Sequence, residues 1–419
     1  MPNRLPETIE EGSMKAMLFS ISVPKFISLK ILGAINKKLY YQGPFPTIRM
    51  ADVPEPKLPS PEWVKIKTHI CGFCGSDQNL IFLKDSPSAS PFTSFPCVPG
   101  HELSGEIVEA GKDAGDFKVG DRICISPLLS CAARRIDPPC RCCRMGRFGA
   151  CENAALGNLA PGMFTGICQD IGGGFAPYLV AHKSQLYKLP DEISSEHGAL
   201  MEPLSVALQA VCDNRPNDSD KVLIIGAGVI GNLIIQSIRA LGISCHISVS
   251  EPSPFHGPLA LKAGADHLIS DGDIFGCAEK ITSARRYKPM LGQDILMGGF
   301  TKIFDCVGHQ DTIRTSMRAL AGGNGVLTIV GIGNEMKIDP TPMWLKLQTI
   351  KGTYGYGQVT MDGKAIHVFE LAIRLAREKK VKLDGMLTHK FRLDQFRDMI
   401  ELNMDKSKNK AVKTAISFM

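Results

Sequence analysis

One segment constrains this chain more than any other. Lys221-Val222-Leu223-Ile224-Ile225 runs straight into Gly226-Ala227-Gly228-Val229-Ile230-Gly231. A short apolar run of this kind reads as a strand buried on both faces. The residues after it are apolar at 229, 230, 233, 234, 238 and 241, which is helical spacing. A strand that passes into a helix over G-x-G-x-x-G opens a parallel β-α-β unit. The first Gly permits the tight turn, the second lets a pyrophosphate approach the backbone, and the third lets helix pack on strand. The helix N-terminus favours the phosphates. Gly226, Gly228, Val229, Ile230 and Gly231 are therefore expected to bind a dinucleotide. Glu251 ends the next strand pattern, where a carboxylate can accept from the ribose hydroxyls and repel a 2′-phosphate. NAD is expected over NADP.

The alternation continues, with strand patterns at 246–250, 302–306 and 326–330 and helical patterns at 255–263 and 312–320. It predicts a doubly wound parallel sheet. A further helix is expected over 364–378. Upstream the texture is different. Short alternating runs at 63–67, 105–109 and 119–123, bounded by Gly and Pro, predict a β-rich unit with a first strand at 14–19. With 419 residues the chain has room for two to three domains. The divisions expected are an N-terminal extension over 1–13, a β-rich catalytic domain over 14–204, a dinucleotide domain over 205–353, and a return to the catalytic domain over 354–419.

Composition excludes other classes. Hydrophobic residues at 44% and charged residues at 21% rule out wholesale disorder and fibrous rods. A net charge of +6 is mild for the length and implies neither nucleic acid nor a membrane as partner. No apolar stretch is long enough to span a bilayer. Residues 14–19 imitate a signal start only loosely, with no small-residue cleavage site after them, so a cytoplasmic location is expected. The lysines at 406, 408, 410 and 413 read as a solvated basic edge.

There are 14 cysteines, and five fall between 131 and 151. In a reducing compartment such density suggests metal rather than disulfides. Cys140-x2-Cys143-x7-Cys151 with one more ligand would close a tetrahedral site. The scattered cysteines at 97, 124, 168, 212, 245, 277 and 306 read as small buried hydrophobes. Separately, Cys71 and Cys74, His101 and Glu102, and Glu202 bring metal-capable side chains into Gly- or Pro-punctuated segments. A catalytic zinc site needs only three protein ligands.

These pieces together resemble the zinc-dependent medium-chain alcohol dehydrogenase family over nearly the whole chain. They are C-G-S-D at 74–77, G-H-E at 100–102, the cysteine loop, M-E-P-L-S-V at 201–206, G-A-G-V-I-G at 226–231 and F-D-C-V-G at 304–308. The Glu-Pro-Leu-Ser segment and T-Y-G-Y-G at 353–357 are similar to the polyol, threonine and sugar branch. The resemblance implies a GroES-like catalytic domain around a Rossmann domain, and two zinc sites, one catalytic and one structural. It implies that Cys74, His101 and Glu202 bind the catalytic zinc, with Glu102 an exchangeable ligand beside it. Asp77 would orient His101, and Ser76 would take the alcohol proton. Val307 and residues 330–332 (Val330, Gly331, Ile332) would meet the nicotinamide, and Lys413 the pyrophosphate. The partner implied is a small alcohol, with the chain a homodimer or homotetramer.

Four departures stand out. Asn79 replaces the family's His, and Pro177 a frequent Glu. About 20 residues near 24–45 are inserted. The first cysteine of the loop is displaced, so either Cys131 or Asp137 is the fourth ligand. The expected function is hydride transfer between an alcohol of polyol, sugar or hydroxy amino acid type and NAD. The alternatives are a dinucleotide-binding regulator without turnover and a zinc-independent reductase of the same fold.

Overall fold

The computed structural model describes residues 12–333 and 335–419. The expected N-terminal extension lies almost wholly outside them. Two sheets organise the rest. The first has six parallel strands in the order His267–Ile269, His246–Ser250, Lys221–Ile225, Lys302–Asp305, Val326–Ile329 and Thr349–Gly352. Counted along the chain this is 3-2-1-4-5-6, the Rossmann order, which reverses between Lys221–Ile225 and Lys302–Asp305. Ligands bind outside the carboxyl ends of the strands at such a reversal. Helix Val229–Ala240 crosses from the first strand to the second. Its inner residues Leu233, Ile234 and Ile238 are fully buried in the same cluster as helix Met201–Asp213.

The second sheet has seven mostly antiparallel strands. Its spine, Trp63–Phe73, pairs with Glu102–Ala110, with Tyr178–His182 and with the chain's last strand, Lys413–Ser417. That last pairing matters for function: it returns the C-terminus to the strand that leads into Cys74.

Two expected elements are displaced. The pattern at 119–123 begins in a turn, where Gly120 takes φ +90 and Lys118 N–H bonds the Asp121 carboxylate at 2.9 Å, so the strand is Arg122–Ile125. The helix expected over 364–378 starts only at Val368. Lys364–His367 is instead a strand hairpinned to Gln358–Met361 across Asp362-Gly363, both at positive φ. An Asp-Gly pair is a strong hairpin signal and here overrides the helical periodicity that follows it. The inserted residues form helix Val23–Ile35 and a 3₁₀ turn, Lys37–Tyr40. Gly33 is required there, because a Cβ would strike the Tyr40 ring. Among the described residues no helix is long and apolar enough to cross a membrane.

Candidate functional site

The glycine turn is shaped for close approach. Gly226 adopts φ +86, and a Cβ on Gly231 would strike the Gly226 carbonyl. A Cβ on Gly228 would meet nothing within 4 Å, so the backbone there is open to a ligand. Val229 and Ile230 begin the helix whose N–H groups face that opening. Glu251 braces the turn: its carboxylate accepts from Ala227 N–H at 2.7 Å and from Ser253 N–H at 2.8 Å. Each oxygen keeps a further lone pair for an outside donor. Val307, Val330, Gly331 and Ile332 follow the two strands beyond the reversal. They are drawn together, since a Cβ on Gly308 would strike the Gly331 carbonyl.

Opposite lies a cluster built from the second sheet. The spine strand ends at Phe73 and Cys74 caps helix Gly75–Ile81. Asp77 accepts from Cys74 N–H at 2.8 Å, and its other oxygen lies 3.6 Å from His101 Nδ1. His101 and Glu102 follow the turn at Gly100, which takes φ +97. One ligand atom each from Cys74, His101 and Glu102 lie within 4.8 Å of one another. Ser76 Oγ sits 3.5 Å from His101 Nε2. Burial works against a charged His101, but the Asp77 carboxylate outweighs it and holds the imidazole well above its ordinary value. Cys71 is fully buried outside this cluster, its thiol pushed well up by burial.

Glu202 is outside that group, in the first turn of helix Met201–Asp213. Its buried carboxylate accepts a hydrogen bond from the Tyr356 hydroxyl. Burial pushes that carboxyl up to about 8, with the nearby Glu102 charge adding and His101 and Lys413 opposing. The trio drawn together thus contains Glu102 rather than Glu202. Lys413 is also placed differently from a solvated edge: it is buried, and its ammonium is paired with the Glu102 carboxylate. Lys408 and Lys410 are exposed, as expected of such an edge, whereas Lys406 is half-buried. Tyr356 lies in the T-Y-G-Y-G segment at 353–357, whose pattern gives no hint of which partner its hydroxyl meets. Asn79, where the family has His, donates to the Ile332 carbonyl at 3.4 Å and so joins the two sides of the cleft.

The cysteine loop gathers elsewhere. Sγ atoms of Cys131, Cys140, Cys143 and Cys151 lie within 4.8 Å of one another, and Asp137 is not among them. Cys131 Sγ is held inward by Cys140 N–H at 3.3 Å and by Asn153 Nδ2 at 3.2 Å. Of the two candidates for fourth ligand, Cys131 is the one grouped with the other three thiols. Its separation from Cys151 Sγ, 3.7 Å, is no disulfide. The fully buried Arg134 fixes the extra residues of the loop by donating to five carbonyls, from Leu129 to Gly162. Both donor sets suit zinc: four thiols close a tetrahedron, while S, N and O donors leave a position open.

Comparison with known proteins shows the family and the fold. Residues 60–191 match the alcohol dehydrogenase GroES-like domain, and residues 229–375 match the zinc-binding dehydrogenase domain. (R,R)-butanediol dehydrogenase of Bacillus subtilis is 31% identical over 365 residues, spanning 84% of this chain and 91% of that protein. Sorbitol dehydrogenase of Bos taurus is 28% identical over 369 residues, 87% of this chain and 92% of that protein. The crystal structure of 2R,3R-butanediol dehydrogenase from Bacillus subtilis superposes with a TM-score of 0.70 at 26% identity, covering 96% of this chain and 99% of that one.

Proposed function

The chain belongs to the zinc-dependent medium-chain polyol dehydrogenase family, and from that premise we propose that it oxidises a diol or polyol with NAD at the Cys74–His101–Glu102 cluster. It is an alcohol oxidoreductase. One observation carries the site assignment: the bond from Asn79 to the Ile332 carbonyl sets the helix of Ser76 and Asp77 against the segment reserved for the nicotinamide. Cys74, His101 and a carboxylate, Glu102 or Glu202, hold zinc, which when bound lowers the pKa of a substrate hydroxyl. Ser76 takes the hydroxyl proton. Asp77 fixes the His101 ring, and Lys413 balances the Glu102 charge. Val307, Val330 and Ile332 would hold the nicotinamide, which when bound would accept the hydride from the carbinol carbon. Cys131, Cys140, Cys143 and Cys151 hold a structural zinc. A regulator without turnover would need neither cluster, nor would a zinc-independent reductase.

This reading keeps the divisions 14–204, 205–353 and 354–419, supported by the pairing of Lys413–Ser417 with Trp63–Phe73. The open edge strand Thr349–Gly352, with Trp344 and Leu347 exposed beside it, supports a homo-oligomer. Fourteen unbonded cysteines support a cytoplasmic setting. The substrate class is tested by following NADH absorbance with vicinal diols, polyols, threonine and simple alcohols. Turnover of simple primary alcohols alone would overturn the diol or polyol assignment.

Cofactor choice gives a sharper test. The Glu251 carboxylate offers lone pairs to the ribose hydroxyls, and a 2′-phosphate at 4 Å would meet repulsion of about 4 kcal/mol in a surface-like dielectric. NAD is expected to be preferred by about tenfold or more in kcat/KM, and Glu251→Ser to narrow the gap. Equal kcat/KM for the two cofactors on one substrate would show that Glu251 does not face the ribose.

Glu202 makes metal binding depend on pH. With its carboxyl raised to about 8, the metal-free protein holds a proton there at neutral pH. The stabilisation from that protonated form is present below the ordinary 4.5 and is lost as pH rises through about 8. A metal that takes this carboxylate must expel the proton. Zinc affinity therefore rises with pH across the neutral range. Titration calorimetry in two buffers of different ionisation heat is expected to show about one fewer proton released by Glu202→Gln at neutral pH. An unchanged count would remove Glu202 from the ligand set.

A further inference from the structure

The inserted helix Val23–Ile35 has apolar residues on both its faces. Inward it buries Leu29 and Gly33. Outward, Val23, Ile27, Ile31 and Ile35 form a stripe at helical spacing, with exposures from 55% to 84%, and Phe45 later in the same insert is 73% exposed. Nothing among the described residues covers this ridge. Its charge is as one-sided as its hydrophobicity. Residues 13–51 contain Lys15, Lys25, Lys30, Lys37, Lys38 and Arg49 and no Asp or Glu, so this tenth of the chain carries a charge equal to the chain's whole net charge of +6. Two of these are neutralised, Lys15 by Asp52 and Lys38 by Glu401. Lys30, Lys37 and Arg49 are exposed and make no ion pair among the described residues.

We propose that this ridge docks the protein on an anionic bilayer surface, with the outer stripe sunk among the headgroups and the free cations meeting lipid phosphates and carboxylates. Thirteen residues of helix span about 20 Å, too short for the hydrocarbon core and suited to lying in the interface. A second copy of the chain is a poor occupant, because an isologous contact sets each cationic collar against its equal. A protein partner would need a groove to enclose a ridge this prominent, whereas headgroups part around it. The charge of the whole chain predicts no membrane partner, but six of its basic residues fall within residues 13–51, the segment that contains the ridge. The insert is also firmly seated. Thr47 Oγ1 donates to the Ile81 carbonyl at 2.8 Å, at the end of the helix that carries Ser76, and Arg397 Nε donates to the Tyr41 carbonyl at 3.2 Å. Docking therefore acts on the catalytic unit itself rather than on a loose tether.

The test is co-sedimentation of the full chain with vesicles of phosphatidylcholine alone or with roughly a third phosphatidylserine. Binding to the anionic vesicles is expected to exceed that to neutral ones by about tenfold and to weaken with salt. The triple variant Ile27→Ser, Ile31→Ser, Ile35→Ser and the pair Lys30→Glu, Lys37→Glu are each expected to lose about tenfold, with melting temperature and NADH production unchanged. Equal sedimentation of wild type and triple variant, or none with anionic vesicles, would overturn the proposal. A lighter species of the triple variant in analytical ultracentrifugation, without vesicle binding by the wild type, would assign the ridge to a second copy. Retention of the wild type on an acidic protein but not on vesicles would assign it to a protein partner.

Discussion

Replacing Cys74 or His101 by alanine is expected to abolish turnover while NAD still binds. The two side chains converge from different elements, Cys74 from the helix cap after the spine strand and His101 from the turn before Glu102, and neither belongs to the glycine turn. Stabilisation of a developing alkoxide by a metal is worth several kcal/mol. At about 1.4 kcal/mol per factor of ten, losing it lowers kcat/KM by about 10³-fold or more. The measurement is kcat/KM on the best alcohol, with the NAD dissociation constant followed in parallel by fluorescence. Full activity in metal-stripped protein would sink the assignment. Alanine at Glu102 and at Glu202, compared on the same scale, identifies the carboxylate that matters, since the structure groups Glu102 with the cluster and gives Glu202 to Tyr356.

The second large effect is expected at the cysteine loop. Cys143→Ser should remove one zinc equivalent per chain and lower the melting temperature by roughly 10 °C, because a closed four-ligand site ties the loop together. Asp137→Ala should leave metal content unchanged, since Cys131 and not Asp137 points into the cluster. Elemental analysis decides both. One zinc in the wild type, or a Cys143→Ser protein of unaltered metal content and stability, would refute the structural site.

Much of this molecule is written in local patterns. The strand at 221–225, the glycine turn and the helix after it depend on residues within a few positions of one another, so their chemistry is visible along the chain. The same holds for C-G-S-D and for Cys140-x2-Cys143, where spacing fixes proximity. Even the two displaced elements have a local cause: the turn of Gly120 with the Lys118–Asp121 bond at the first, and the Asp362-Gly363 hairpin, which prevails over the helical periodicity, at the second.

What no local pattern contains is the pairing of residues hundreds of positions apart. Whether Cys131 or Asp137 turns inward was settled by Cys140 N–H and Asn153. That Lys413 leaves the basic edge for Glu102 follows from the pairing of Lys413–Ser417 with Trp63–Phe73, which buries the ammonium and leaves it one carboxylate to neutralise. Glu202 meets Tyr356 because helix Met201–Asp213 and the 353–357 segment enclose the same buried volume. The sequence by itself determined the fold class, the dinucleotide turn and the inventory of metal-capable groups, since these rest on periodicity and short spacings. Only the tertiary structure brings Glu102 to Cys74 and His101, Cys131 to the other three thiols and Lys413 to Glu102, because desolvation and Coulomb attraction act between neighbours in space, and chain order does not specify who those neighbours are.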